Sequence, residues 1–288
     1  MNKYLSIIAS VAAFLSLASC EKDKYGTLAG NDTEPHAVIS VTTPGLPNDP
    51  DCDAFVRIAA NNVTTDVYYY AELASAKDAR GMSDEAYADF VVSNGTKATL
   101  STSAYDGSLG ADVLMPKLFG QNVISVVAVN GSSKYLATAS FYGLRWNDIA
   151  TGTYRFGSSA IYNTLGARTK EGVVLQQNDD DPTDFRFKDL YKTGNHLVIK
   201  AYPDYTAEDE DGVYTFLRVP AQATGLNHAS YGAMSVRDYG YRYGDDGYIF
   251  EGGYEGGMYE DHNIFLYMHV YVSAGNFGGA YDYFFPDN

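Results

Sequence analysis

The sequence predicts an all-β protein of two antiparallel β-rich units. The first is a sandwich with one short inserted helix, and the second is a sandwich or a barrel-like domain. Three observations carry this prediction. Short runs rich in Val, Ile, Thr and Tyr alternate at period two and recur between turn residues roughly every 8–12 positions. Hydrophobic residues make up 45% of the 288 positions and charged residues 19%, with 26 Tyr and 28 Gly; that composition is too apolar and aromatic for a disordered chain. No repeat of about 20–50 residues is visible, which argues against a solenoid or propeller.

The chain opens with Lys3 and an uncharged run from Leu5 to Ala18. A run of about 14 residues cannot span a hydrocarbon core of roughly 30 Å as a helix, but it fits the apolar segment of a signal peptide. Leu17-Ala18-Ser19-Cys20 resembles a bacterial lipobox, which implies cleavage after residue 19, acylation of Cys20 and anchoring by lipid without a membrane span. Cys20 and Cys52 are the two cysteines, so lipidation of the first leaves the second without a disulfide partner. Cys52 falls at an apparent strand start and is expected to be a small packed residue, not a nucleophile. Residues 20–35 are polar, Gly-containing and aperiodic, as a flexible tether would be.

From 36 to 144, AVISVTT, AFVRIAA, DVYYYAEL, KATLSTSAY, VISVVAVNG and KYLATASFYG read as strands. The last two form the clearest hairpin, turning at about Asn130 to Ser133. SDEAYADFVVSNG interrupts them as a helix. Ser83 serves as its N-cap, Asp84 and Glu85 lie in the first turn, Ala86, Phe90 and Val91 form one face, and Gly95 closes it. Around Leu144-Arg145-Trp146 the pattern restarts. From 145 to 288 it reads as a hairpin over WNDIATGTYRFGSSAIY turning at Thr151-Gly152, then EGVVLQQ, DFRFKDLY, HLVIKAYP, GVYTFLRVP and AMSVRDYG. A Gly-Tyr tract precedes IFLYMHVYV as the strong final strand.

VISVVAVNGSSKYLATASFY, WNDIATGTYRF and VPAQATGLNHASYGAMSVRD, with YVSAGNFGGAYDYF at the end, resemble two-domain surface lipoproteins of the Bacteroidetes, many of unassigned function. The resemblance implies a fibronectin type III- or immunoglobulin-like first domain, a separate β-rich second domain and an outer-membrane location. In such lipoproteins acidic residues just after the lipidated Cys accompany export to the cell surface. Glu21 and Asp23 are similar to that signal, with Lys22 and Lys24 interrupting it. The family carries no catalytic motif to transfer.

The net charge of -16 excludes phosphate-driven nucleic-acid binding. Most of it follows Arg145, where 10 basic residues face 21 acidic ones. Asp179, Asp180, Asp181 and Asp184 form an oxygen-rich loop that could take Ca²⁺, although no EF-hand register exists at Gly212 or Gly247. The five histidines (His36, His196, His228, His262, His269) lack an H-E-x-x-H pattern or close metal spacing, and no G-x-S-x-G or phosphate-binding loop occurs. No cofactor is therefore expected. The strongest binding candidates are Tyr239, Tyr241, Tyr243, Tyr248, Tyr254 and Tyr259, set among glycines, with the first three alternating as one face of a strand. Tyr rings suit sugar faces and protein partners, and they also serve to cover a sheet. Three functions remain open from the sequence: a non-catalytic module for a glycan or envelope-protein partner, a hydrolase with a carboxylate pair, and a structural spacer.

Overall fold

The computed structural model describes residues 33–102 and 109–287. The leader, Cys20 and the tether to residue 32 lie outside the described residues. Among the described residues no helix is long and apolar enough to cross a membrane.

The first part contains β1 (Ala37–Thr42), β2 (Ala54–Ala60), β3 (Asp66–Leu73), α1 (Ala74–Arg80), α2 (Asp84–Asn94), β4 (Thr96–Lys97), β5 (Ser101–Thr102), β6 (Leu109–Met115), β7 (Gly120–Asn130) and β8 (Ser133–Gly143). Sheets ordered β1-β2-β6-β5 and β4-β3-β7-β8 pack as an immunoglobulin- and fibronectin-type sandwich does. Period two is clean in β2, where Ala54, Val56, Ile58 and Ala60 are buried against Val67, Ile124 and Val126. β7 is instead apolar almost throughout, because α2 covers its second face and buries Val127 under Tyr87 and Val91.

The inserted helix forms as the sequence predicts at its start. The Ser83 side chain accepts a bond from the Ala86 amide, and Asp84 and Glu85 fill the first turn. Its buried face differs: Tyr87, Ala88 and Val91 are enclosed while Ala86 is exposed and Phe90 half-buried. The cause is the Tyr87 hydroxyl, which lies 2.8 Å from Glu72 Oε1 and 3.2 Å from Ser125 Oγ and so rotates the helix onto β3 and β7. Gly95 ends the helix in extended backbone, where a Cβ would lie 2.5 Å from the Val91 oxygen and 2.7 Å from that of Tyr69. The expected strand KATLSTSAY is reduced to β4 and β5, two residues each and in different sheets. Ala98 is buried between them as the chain crosses from one sheet to the other; residues 103–105 lie outside the described part. α1 and β6 were not expected.

The second part contains β9 (Trp146–Arg155), α3 (Ser159–Leu165), β10 (Thr169–Asn178), β11 (Asp184–Lys192), β12 (Asn195–Asp209), β13 (Gly212–Arg218), β14 (Gln222–His228), β15 (Gly232–Arg237), α4 (Tyr239–Tyr243), α5 (Gly247–Phe250), β16 (Gly256–Tyr259), β17 (Ile264–Val272) and β18 (Gly275–Pro286). β18 pairs with both β17 and β9, which closes β9-β10-β11-β12-β13-β16-β17-β18 into an eight-stranded barrel. The β14–β15 hairpin joins through β15 to the far end of β17. The interior is filled by Tyr154, Leu175, Phe187, Leu197, Ile199, Leu266, Met268 and Phe284, with Ile161 of α3 packed into the same core.

Three expectations are corrected here. Thr151 and Gly152 make no turn; they lie inside β9, and a Cβ on Gly152 would run into the Phe285 carbonyl of neighbouring β18. Ser159 to Leu165 is helical, capped by the left-handed Gly166. IFLYMHVYV is not the last strand, because β18 follows it and completes the closure. The two parts meet through the Arg186–Asp51 ion pair and through the Tyr142 hydroxyl, which donates to Asp180.

Candidate functional site

The Gly-Tyr tract opens on two short helices and then runs through an irregular segment into β16. Tyr239, Tyr241 and Tyr243 sit on α4, a single helical turn whose N-cap, Asp238, accepts a bond from the Tyr241 amide at 2.7 Å, and whose C-cap, Gly244, is left-handed. The expected strand face is therefore overturned: local capping at both ends wins over Tyr alternation. Tyr248 lies on α5, Tyr254 between α5 and β16, and Tyr259 at the end of β16.

One buried cation holds this tract against the barrel. Arg218, 2% exposed, donates from Nε to Asp238 Oδ2 at 2.7 Å, from Nη2 to Asp238 Oδ1 at 3.2 Å and from Nη1 to Asp246 Oδ1 at 2.6 Å. The Tyr241 ring lies 4.7 Å from the guanidinium. Burial works against the charge, but the Asp238 and Asp246 carboxylates carry the Arg218 pKa above its ordinary value. Gly240 leaves room for the guanidinium, which a Cβ there would strike.

Outside the barrel wall the rings form one connected layer. Tyr239 stacks on Tyr254 at 4.7 Å with planes 11° apart, and Tyr243 stacks on Tyr248 at 4.5 Å. Tyr254 meets Tyr267 at 5.0 Å, and Tyr267 meets Tyr281 at 4.8 Å. From Tyr281 the layer runs through Tyr283 to Phe285, whose rings are 6.1 Å apart and nearly parallel. These spacings are those of favourable aromatic pairs. The glycines are where rings lie directly on backbone. A Cβ at Gly279 would come within 2.5 Å of the Tyr267 ring and 2.8 Å of Tyr239. Gly279→Ala is accordingly expected to destabilise the fold by about 1–3 kcal/mol through overpacking, read as a lower urea midpoint with unchanged m-value.

The rings do not all line a cavity. Tyr239, Tyr243, Tyr248 and Tyr254 pack mainly on one another, and Tyr241 is engaged with Arg218. Of the six candidates, Tyr259 lines a groove of about 440 Å³ at the barrel rim, where the β12–β13 and β16–β17 turns meet the end of β18. The other walls are Phe265, Tyr283 and Phe285 with Arg155, Asp211, Asp261 and Asn263. The Tyr259 hydroxyl donates to Asp209 Oδ2 at 2.7 Å, which holds the Asp209 pKa below the usual carboxylate range. Bonds from the amide and side chain of Asn263 depress Asp261 likewise. Arg155 is exposed and lies 5.9 Å from the Tyr283 ring. Tyr283 and Phe285 were not singled out in the sequence, because β18 reads there as a Gly-broken tail, nor was Arg155, which reads as an ordinary residue of β9.

The acidic loop is occupied by protein partners. Asp179 accepts from Asn147 and Asp180 from Tyr142, while Asp181 and Asp184 share Lys200 at 3.2 and 2.9 Å. Among the described residues no three His, Cys, Asp or Glu side chains converge as a metal site. His228, the last residue of β14, accepts the Ser230 amide on Nδ1 at 3.2 Å. His262 sits in a turn with φ 63° and His269 is buried in β17. Cys52 is 6% exposed in the turn before β2, and burial with the nearby Asp49 and Asp53 pushes its thiol up to about 11, which keeps it protonated.

No protein-family model matches this chain, and no curated protein matches it. Among solved structures it is similar to a mutant of Kfla1895, with TM-score 0.25 and 11% identity over 83% of this chain. The same mutant in complex with isomaltose gives 0.23 and 11%, and in complex with cyclobis-(1->6)-alpha-nigerosyl 0.22 and 12%. The likeness spans less than a third of those chains (28%, 28% and 29%), and scores this low carry no argument.

Proposed function

We propose that this chain is a lipid-anchored protein of the outer membrane, joined to it through acylated Cys20. In this reading the barrel is a non-catalytic binding module for a glycan displayed at or delivered to the cell envelope. The observation that carries the reading is the rim groove, where Tyr259, Phe265, Tyr283 and Phe285 stand beside Arg155, Asn263 and Asp261. Flat rings take the C–H face of a sugar, while a carboxylate, an amide and a guanidinium take its hydroxyls. In the groove the Asp261 carboxylate, held below the usual range by Asn263, is suited to accepting hydroxyl hydrogen bonds and is a poor general acid.

The test is a glycan array followed by calorimetry on the best binder. Tyr283→Ala and Phe285→Ala together are expected to weaken binding at least tenfold, about 1.4 kcal/mol, with the fold intact by circular dichroism. Failure of every glycan to bind would remove this reading. The anchor has its own test: metabolic labelling with palmitate should mark the wild type and not Cys20→Ala.

A further inference from the structure

We propose that the cleft between the sandwich and the barrel binds a carboxylate-bearing ligand at Lys117 and Lys188. This site is distinct from the rim groove and does not rest on the glycan reading. The cleft has a volume of about 700 Å³, within the range that encloses a small molecule. Its walls come from the turn before β2, from the segment before β7, and from β9, β10 and β11 of the barrel.

The hydrogen-bond inventory of the walls gives the sign of the ligand. Each wall carboxylate already accepts at least one hydrogen bond. Asp53 takes the backbone amides of Asp49 at 2.8 Å and Lys117 at 2.9 Å, Asp49 takes that of Asp51 at 3.0 Å, and Asp148 takes Gln176 Nε2 at 2.6 Å. Arg186 is used too, between Gln176 Oε1 and the Asp51 carboxylate. Two cations of the walls are not engaged in this way. Among the described residues neither the Lys117 nor the Lys188 ammonium group has an ion-pair partner, in a chain with 36 acidic residues against 20 Lys and Arg. Two hydrated ammonium groups with no ion-pair partner, lining one cleft, offer a carboxylate charge-assisted hydrogen bonds that no side chain among the described residues takes up. Lys117 is also a non-glycine residue at φ 57°, a conformation maintained by the Asp53 bond to its amide, which fixes where its side chain leaves the loop.

Body contacts come from Phe119 and Trp146, the first covered by Arg145 at 4.5 Å and the second by Arg186 at 4.4 Å. Trp146 is the single tryptophan of the chain, so its fluorescence reports on this cleft and not on the rim groove.

The experiment titrates the full-length protein with a uronic-acid trisaccharide, with its neutral counterpart and with succinate, following Trp146 emission. A saturable change is expected with at least one carboxylate probe and none with the neutral sugar. Succinate alone would identify a small organic acid, and the uronate alone an acidic saccharide. Lys117→Ala with Lys188→Ala is expected to weaken binding at least tenfold and to flatten its salt dependence. Lys117→Arg with Lys188→Arg should retain it, and Tyr283→Ala with Phe285→Ala should leave it unchanged. No saturable change with either carboxylate, equal affinity for the neutral sugar, or full binding in the double alanine variant would each overturn the proposal. Both lysines are exposed, so the variants should fold; unchanged melting temperatures would establish it.

Discussion

Arg218→Met is expected to lower the unfolding free energy by about 3–5 kcal/mol, the range for removing one partner of a buried ion pair. The side chain is nearly isosteric along its stem, so the loss is electrostatic and not a cavity. It leaves Asp238, 2% exposed, without its cation, although the Val219 and Tyr241 amides still donate to it. The more exposed Asp246 can turn to water. α4 and α5 are short helices of five and four residues, too short to persist without tertiary support. Loosening there should reach Tyr239 and Tyr254, so the near-ultraviolet dichroism of the tyrosines should fall together with stability. Two controls separate causes. Arg218→Lys keeps the charge but loses the planar fork to Asp238 and should show an intermediate loss. Adding Asp238→Asn to Arg218→Met should recover part of the deficit if the uncompensated carboxylate is its source. A loss under about 1 kcal/mol in urea unfolding, the level of an exposed ion pair, would contradict the clamp.

What could be read from the sequence follows from the range of the interactions involved. β2, β7, β8 and β17 declare themselves because their side-chain pattern reflects a face they bury, and α2 because Ser83 and its acidic first turn act locally. The helix α4 was also marked locally, by Asp238 ahead of the tyrosines and Gly244 after them, but the Tyr alternation reads equally as a strand. β6 and β18 carry weak patterns: one holds Gly110 and Asp112, the other Gly278, Gly279 and a buried Asp282. Their strand character comes from partners already formed on both sides. The rim groove was not legible, since barrel closure brings Arg155, Tyr259 and Tyr283 together from strands far apart in the chain. The same holds for Arg218, which reads as an ordinary residue in GVYTFLRVP until Asp238 and Asp246 fold over it.

A second large effect is expected at Asp282, and its direction depends on pH. This carboxyl is 2% exposed on the inner side of β18, with Oδ2 accepting from the Tyr154 hydroxyl at 2.9 Å and Oδ1 from the Gly157 amide at 2.7 Å. Burial pushes its pKa up to about 7 from 3.8, and the Gly157 and Tyr154 bonds pull the other way without cancelling it. The folded barrel therefore keeps the proton where the unfolded chain has released it. Stability from this group is present in full below about pH 4, falls as pH rises toward 7, and is absent above that. Asp282→Asn removes the titration while an amide oxygen can still accept from Gly157. It should erase the downward slope between pH 4 and 7, and at pH 8.5 it should be more stable than the wild type by up to about 4 kcal/mol, at 1.36 kcal/mol per unit. Urea unfolding at pH 4, 5.5, 7 and 8.5 reads this directly, and parallel curves for the two proteins would sink it. Asp282→Leu gives the complementary result, because it also removes the titration but leaves the Gly157 amide unpaired. A Cβ at Gly157 would strike the Tyr281 carbonyl, so this backbone packs hard against β18 where the chain leaves β9 for α3, and the amide cannot readily turn to water. If the leucine variant is less stable than the asparagine variant at every pH, the carboxyl is retained for this junction, and the cost it imposes near neutral pH is a consequence of fixing α3 to the barrel.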